Sequence, residues 1–396
     1  MREARELLDA PAQGRESTRK RLVIEIMVKS DRQSQLSRRT GVSQALVSTT
    51  VQELAREGLV EIDAPGGGRS RGRVRLSRMR GVAVGVDLGF NHISVVARPV
   101  DQPHDRIALR RESPGANVGL RRLLPDVLRL TREAVEETGQ GMADVVAAGL
   151  AVPRMVDPRT GRFTTPVLPP WEPGDEPAAD LAAELGVPVA MDNDANLGAL
   201  AEQTYTSEEA VEHVVYVKAS TGVGIGIVVG SNLVRGQRGT AGEIGHLTID
   251  PDGEMCLCGG RGCLDTLVGA ESLLAKVKQS QRGAARDVPT TLAALVLKAH
   301  NGDAVCRRVL NDAGRVLGFA LAQLCNLINP QRIVIGGELA EARSMVLDTC
   351  RQELARYALA GAVEPTDGFE LRTSTLSPYA EAQGALILGL RSRSSR

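Results

Sequence analysis

The feature that most restricts this chain lies near its middle, where His246 is followed by Cys256, Cys258 and Cys263 in an H-x9-C-x-C-x4-C array. Half of the six cysteines and one of the five histidines fall in that short stretch. Three thiolates and one imidazole form the complete donor set of a closed tetrahedral Zn2+ site. Gly259, Gly260 and Gly262 stand between the thiols, and glycine lets so short a loop fold back until the sulfurs face one ion. The competing reading is a chance cluster of buried free thiols. A loop this rich in glycine has little apolar surface with which to bury them. A structural zinc loop held by His246, Cys256, Cys258 and Cys263 is therefore expected.

A chain of 396 residues is too long for one small core and implies two or three domains. With 42% hydrophobic and 24% charged residues it reads as soluble and globular. No apolar run approaches the roughly 20 residues that cross a bilayer. The start, Met1 to Glu6, lacks the apolar core of a signal peptide, so a cytoplasmic location with reduced or metal-bound cysteines is expected. The formal net charge is zero, and any attraction for nucleic acid must come from its distribution. Between Arg15 and Arg80 there are fifteen Arg or Lys against seven Asp or Glu. That excess predicts a DNA-binding head over residues 15–80, joined to an acidic body over residues 81–396.

Within the head, Leu22, Val23, Ile26 and Met27 fall at helical spacing between Thr18 and Ser30. A second helix is expected from Ser34 to Arg39 with Leu36 inward, and Thr40-Gly41-Val42 supplies the turn. Ser43 is a suitable N-cap for a third helix that carries Leu46, Val47, Val51 and Leu54 inward and stops at Gly58. This is the spacing of a helix-turn-helix, whose last helix enters the major groove. Ser43, Gln44, Ala45, Ser48, Thr49 and Gln52 are then the candidates for contact with bases or nearby phosphates. Leu59 to Ile62 and Arg73 to Leu76 read as the strands of a wing whose glycine-rich tip carries Arg69 and Arg71. With Arg73, these arginines suit phosphate or minor-groove contact. A small helical interaction domain with a solvated charged loop is the alternative.

The body alternates strands and helices. A buried strand from Val82 delivers Asp87 and Gly89 to a tight hairpin with a second strand, Ile93 to Ala97. Such a hairpin can hold nucleotide phosphates on backbone N–H groups, with the carboxylate acting through a metal ion, although ordinary strand ends often look the same. A helix is expected from Leu123 to Glu137, a strand from Val145 to Val152 and part of a short helix from Leu181 to Leu185. A strand from Val187 to Met191 leads into Asp192-Asn193-Asp194-Ala195-Asn196, ahead of a helix beginning near Leu197. Carboxylates and amides at such a junction suit a polyol, and Asp194 can serve as a general base toward a hydroxyl. Capping of the following helix competes for Asp194 and Asn196. Ser220 to Gly224, containing Thr221, Gly222 and Gly224, and the Gly336-Gly337 pair after a strand from Arg332 are two further candidate phosphate loops.

In this order, Asp87-Leu88-Gly89, Asn193-Asp194-Ala195-Asn196, Ser220-Thr221-Gly222-Val223-Gly224, Glu243-Ile244-Gly245-His246, the cysteine array and Ile335-Gly336-Gly337 resemble the ROK family of repressors, open reading frames and sugar kinases. The resemblance runs from about Val82 to Leu390. It implies an α/β body of the actin-like ATPase fold, with two lobes around a sugar cleft, behind a winged helix-turn-helix. It implies that Asn193, Asp194, Glu243, His246 and Asp265 contact a sugar, with Asp194 where family kinases keep their catalytic base and Asp265 where a Glu is usual. His246 would turn one ring edge to zinc and the other to the sugar.

The chain departs from the family's kinase pattern at Gly89-Phe90-Asn91, where a second glycine and a threonine are usual, at Arg154, where a glycine is usual, and at Ser220. Asp87, Gly89, Thr221, Gly222, Gly224, Gly336 and Gly337 then form a degenerate nucleotide site, and neither ATP with Mg2+ nor kinase turnover is expected. The leading expectation is a sugar-responsive regulator, a repressor of carbohydrate genes, acting as a homodimer or homotetramer on a palindromic operator. An ATP-dependent kinase of a hexose or amino sugar with a DNA-binding head is the runner-up, and a regulator tuned by a protein partner is a third reading.

Overall fold

The computed structural model describes residues 2–63, 72–164, 171–172, 174–206, 211–280, 288–364 and 368–395. The chain opens with β1 (Arg2–Glu3) and α1 (Ala4–Asp9), then runs into α2 (Arg15–Val28). Every residue of α2 from Leu22 to Val28 is buried, including Glu25. A helix covered on all sides is an interior helix, so α2 serves two cores at once. Leu22, Val23, Ile26 and Met27 were expected inside, and Ile24 and Val28 join them.

β2 (Asp31–Arg32) and α3 (Gln33–Thr40) follow, and Gly41 at φ 66° turns the chain into α4 (Gln44–Arg56). Ser43 caps α4, its side chain accepting the Leu46 N–H at 3.4 Å. The buried face of α4 is Val47, Thr50, Val51 and Leu54, an i, i+3, i+4, i+7 stripe. Leu46, expected inward, is 37% exposed. It lies roughly 100° round the helix from Val47, and Thr50 takes the inward place. β3 (Val60–Asp63) and β4 (Arg73–Leu76) pair antiparallel, and β2 adds to the other edge of β4. β5 (Met79–Arg80) pairs in parallel with β1. The wing tip with Arg69 and Arg71 lies outside the described residues.

The chain divides into two compact units, residues 1–197 with 381–396, and residues 198–380. In the first, β6 (Val82–Gly89), β7 (His92–Pro99), β8 (Ala108–Glu112), β9 (Val145–Val152) and β10 (Val189–Asn193) form a sheet in the order β10-β9-β6-β7-β8. α5 (Leu120–Glu137) buries Leu123, Val127, Leu130 and Ala134 against it, and α6 (Pro177–Leu185) adds Leu181 and Leu185. α7 (Asp194–Tyr205) begins three residues earlier than expected, because β10 continues through Asn193.

The second unit repeats the plan with β11 (Val214–Ala219), β12 (Val223–Val229), β13 (Asn232–Val234), β14 (Arg332–Gly336) and β15 (Glu370–Thr373), in the order β13-β12-β11-β14-β15. In each sheet three consecutive strands meander antiparallel, and the next two add in parallel beside the first. This duplicated topology is the actin-like arrangement the sequence implied. α8 (Asp265–Val268), α9 (Ala270–Ser280), α10 (Leu292–His300), α11 (Ala304–Ile328), α12 (Ser344–Tyr357) and α13 (Ala360–Val363) supply the helical layers of this unit. Its main core includes Val217, Ile225, Leu317, Leu321 and Ile335.

α14 (Ala380–Ser392) returns the chain to the first unit. It lies close against the sheet: a Cβ on Gly85 or Gly149 would stand 1.9 Å from the carbonyl oxygen of Ala382 or Ala385. Only glycine at these strand positions admits the helix. Among the described residues no helix is long and apolar enough to cross a membrane.

Candidate functional site

The cysteine array forms a compact donor cluster. The ligand atoms of His246, Cys256, Cys258 and Cys263 all lie within 4.8 Å of one another. Cys258 Sγ and Cys263 Sγ are 3.7 Å apart, and Cys256 Sγ is 3.6 Å from His246 Nδ1. A Zn2+ tetrahedron with Zn–S near 2.3 Å and Zn–N near 2.0 Å has edges of about 3.8 Å between sulfurs and about 3.5 Å from sulfur to nitrogen. The residues therefore fit a tetrahedral metal. The S–S separation is far beyond a disulfide bond, and all three cysteines are free thiols.

Backbone geometry builds this cradle. Gly262, at φ 62°, packs so tightly that a Cβ would stand 1.4 Å from the Asp250 carbonyl oxygen. Its N–H reaches Glu254 O at 2.7 Å, and its carbonyl accepts from Ile249 N at 2.8 Å. The Gly260 N–H donates to Cys258 Sγ at 3.4 Å and lowers that thiol's pKa. Burial and the neighbouring thiols push Cys263 up to about 12, a proton that a bound cation would displace.

The expected sugar residues belong to two separate arms. In the first unit, Asn193 closes β10, and its Oδ1 accepts the N–H groups of Ala195 at 2.9 Å and Asn196 at 3.3 Å. Asn193 is thus the N-cap of α7, a role the sequence left between Asp194 and Asn196. Its Nδ2 donates to Arg154 O at 3.3 Å. Asp194, the first residue of α7, is buried and accepts the Ala195 N–H at 2.7 Å. Asp192 holds the Asn196 amide at 3.1 Å. Burial pushes the Arg154 pKa down, and the nearby Asp194 carboxylate opposes the shift.

In the second unit, Glu243 precedes a short 3-10 turn, Ile244–His246. Asp265 opens α8 and accepts the Val223 N–H at 2.7 Å. Its carboxylate lies against Gly222 and Gly245, where a Cβ would come within 3.1 Å and 2.5 Å of its oxygens. Asp265 therefore ties the Thr221-Gly222 turn to the segment bearing Glu243 and His246. Burial raises its pKa, opposed by the Val223 N–H and by His246.

Two of the three candidate phosphate loops are closely packed by other groups of the protein. Asp87 is fully buried, and His92 Nε2 meets its Oδ2 at 2.8 Å. The His92 imidazole lies over Gly89, where a Cβ would stand 2.1 Å from its ring. Sequence reasoning overlooked His92. The available signal was the two-residue hairpin, which pairs Gly89 with His92 across β6 and β7. Gly336 faces the Tyr216 ring, with a hypothetical Cβ 2.0 Å from the hydroxyl, and Gly337 presses on the Ala219 carbonyl. Internal packing accounts for that glycine pair. The Thr221-Gly222 turn closes through Ser220 N to Gly222 O at 2.9 Å.

On the head, Ser43, Gln44, Ala45, Thr49 and Gln52 are exposed and Ser48 is half-buried, which leaves a short polar face along the start of α4. Arg73, at the foot of the wing, is also exposed.

The ROK family model matches residues 83–392, and a MarR family model matches residues 22–70. The xylose repressor of Bacillus subtilis (strain 168) is 27% identical over 89% of this chain and 88% of its own. A glucokinase of Halalkalibacterium halodurans is 35% identical over 61% of this chain and 75% of its own. The crystal structure of a ROK family transcriptional regulator, a homologue of the Escherichia coli MLC protein, superposes with a TM-score of 0.72 over 95% of this chain and 97% of that one, at 21% identity.

Proposed function

Since the chain belongs to the ROK family and carries a winged helix-turn-helix, it is a DNA-binding transcriptional regulator of that family, and we propose that it is a repressor released by a sugar bound to its body. The observation that carries this reading over a kinase is the Asp87–His92 pair. The carboxylate that would work through a metal on phosphate is held instead by an imidazole, whose ring fills the space above Gly89. Asp194, Glu243, His246 and Asp265 would still read hydroxyls, with Asn193 shaping the first arm as the α7 cap.

His246, Cys256, Cys258 and Cys263 would hold Zn2+, which supplies no chemistry and stiffens the loop carrying His246 and Asp265. Nδ1 faces the thiols, so Nε2 is the edge that would meet the sugar. Two heads in a dimer would read a palindromic operator, and a ligand that prefers one arrangement of the body would shift the DNA equilibrium by that preference.

Operator binding in the presence of pentoses, hexoses, amino sugars and their phosphates tests the reading. One of them should weaken operator affinity by roughly 5- to 150-fold. If none does, and a protein extract does, the partner-tuned alternative replaces the sugar. Coupled ATPase assays with the same panel should give no turnover above an Asp194→Asn control, whereas clear turnover would establish the kinase.

The DNA face makes a separate prediction. Gln44→Ala or Ser48→Ala should weaken specific binding by about 1–3 kcal/mol and leave nonspecific binding nearly unchanged. Arg73→Ala should weaken both alike and flatten the salt slope by about one unit. Equal losses at Gln44 on both kinds of DNA would assign it to the backbone.

A further inference from the structure

We propose that Glu25 is a positioning residue for DNA recognition, locking the head to the C-terminal helix through Arg391 so that α4 is presented at one fixed angle. Glu25 sits on the doubly buried helix α2 and is 5% exposed. Arg391, in the last turn of α14, donates to it with two nitrogens, Nε to Oε1 at 2.7 Å and Nη2 to Oε2 at 3.1 Å. This is a planar, bidentate pair, the geometry that fixes orientation as well as distance.

The same carboxylate also faces α3. Arg39 Nε lies 3.3 Å from Glu25 Oε2, and Arg39 Nη2 donates to the carbonyls of Glu25 at 2.9 Å and Lys29 at 2.8 Å. Arg39 Nη1 reaches Asp31 at 3.3 Å on β2, the strand that pairs with wing strand β4. One residue beyond α3, Gly41 turns the chain into α4. Glu25 thus joins α14 to both DNA-facing parts of the head, the helix-turn-helix and the wing.

The other end of this connection is rigid. α14 packs directly on its sheet, with the Ala382 and Ala385 carbonyls set against Gly85 and Gly149 where no side chain would fit. A second pair, Arg393 with Asp9 of α1, fastens the residues just beyond α14. Burial alone would push the Glu25 carboxyl up, yet Arg391, Arg39 and Arg21 together hold it below the usual carboxylate range. Glu25 therefore stays charged and paired.

A buried ion pair contributes little net stability compared with apolar residues of similar size, while the loss of one partner strands a charge. Its geometry is the property that apolar packing does not reproduce. For two heads reading paired half-sites, that geometry becomes half-site spacing. One inserted base pair rotates a half-site by roughly 35°, which only a loosely held head can follow.

The proposal rests on the paired-operator reading, and the test separates the two. With an operator selected by the native full-length chain, binding is measured on probes whose half-site spacing is changed by one or two base pairs, and on a single half-site. The native chain should show one sharp optimum. The double variant Glu25→Met/Arg391→Met removes the charges together and should fold and bind the single half-site within about threefold of native, while its preference among spacings collapses to a few-fold. Arg391→Lys, which retains the charge but not the fork, should keep the native optimum with reduced discrimination. A native chain without a spacing optimum would overturn the operator reading and this role with it. A sharp native optimum kept by the double variant would overturn the role of Glu25 alone. If the double variant loses single-site binding, Arg391→Lys decides: the native optimum with reduced discrimination upholds positioning, and unreduced discrimination overturns it.

Discussion

Serine in place of Cys263 should reduce zinc content from about one ion per chain to near zero, the complete set for a closed site being four donors. Cys263 is the buried floor of the loop and lies two residues before Asp265, the first residue of α8. A hydroxyl there neither supplies a thiolate nor matches the 3.7 Å spacing to Cys258. Structural zinc in small fingers contributes on the order of 10–16 kcal/mol of folding free energy. In this larger body the effect should be local, a lower unfolding temperature and rapid proteolysis within 247–263, because the main core of the second unit is built from other residues. Cys306→Ala is the control: its thiol is buried in that core, away from the array, and zinc content should stay at the native level. Elemental analysis checks both variants. Native metal content in the Cys263 variant would remove zinc from the account of this loop.

The array was legible in the sequence because its chemistry is carried by residue type and spacing alone. The fold was legible for a related reason. Val82–Val86 of β6 and the whole of Val145–Val152 are continuous apolar runs, and strands buried on both faces need no alternation. Side-chain engagement was much less readable. Nothing local in the sequence shows that Asn193, rather than Asp194 or Asn196, caps α7, because that depends on β10 continuing two residues beyond Met191. His92 was missed for a similar reason, since its pairing with Asp87 follows from hairpin register rather than from a motif. Leu46 was misplaced because a Leu-Val pair offers two phases for one helix, and Thr50 selects between them only once the core is assembled.

α2 is the clearest case in which a dense apolar run meant more than a helix core. The sequence Leu22 to Val28 has Glu25 at its centre, and periodicity assigns that residue to solvent. The structure buries it because a distant part of the chain, α14, arrives with an arginine. A charged residue inside an otherwise apolar run was the signal that a partner of opposite charge was to be found elsewhere.

Arg98 leads to the other large expected effect. It lies on β7, is 1% exposed, and donates through Nη1 to Val28 O at 3.2 Å and through Nη2 to Met27 O. These are carbonyls of the last turn of α2, which the helix itself leaves without donors. The guanidinium also sits at the negative end of the helix dipole, where a cation is favoured. Arg98→Met removes the donor and retains most of the stem, so the loss is dominated by two buried carbonyls left without partners, each costing about 1–3 kcal/mol. A combined loss of roughly 2–6 kcal/mol should fall on the attachment of the head, because both carbonyls belong to α2 and their donor to the body strand β7. Denaturant unfolding should then separate into two transitions, the head releasing first, where the native chain gives one. Arg98→Lys can reach one carbonyl at a time and should lie between the two. If Arg98→Met unfolds in one transition at the native midpoint, the carbonyls must find other donors, and the head would be held by apolar packing together with its ion pairs to the body, Glu25–Arg391 and Arg80–Asp144 among them.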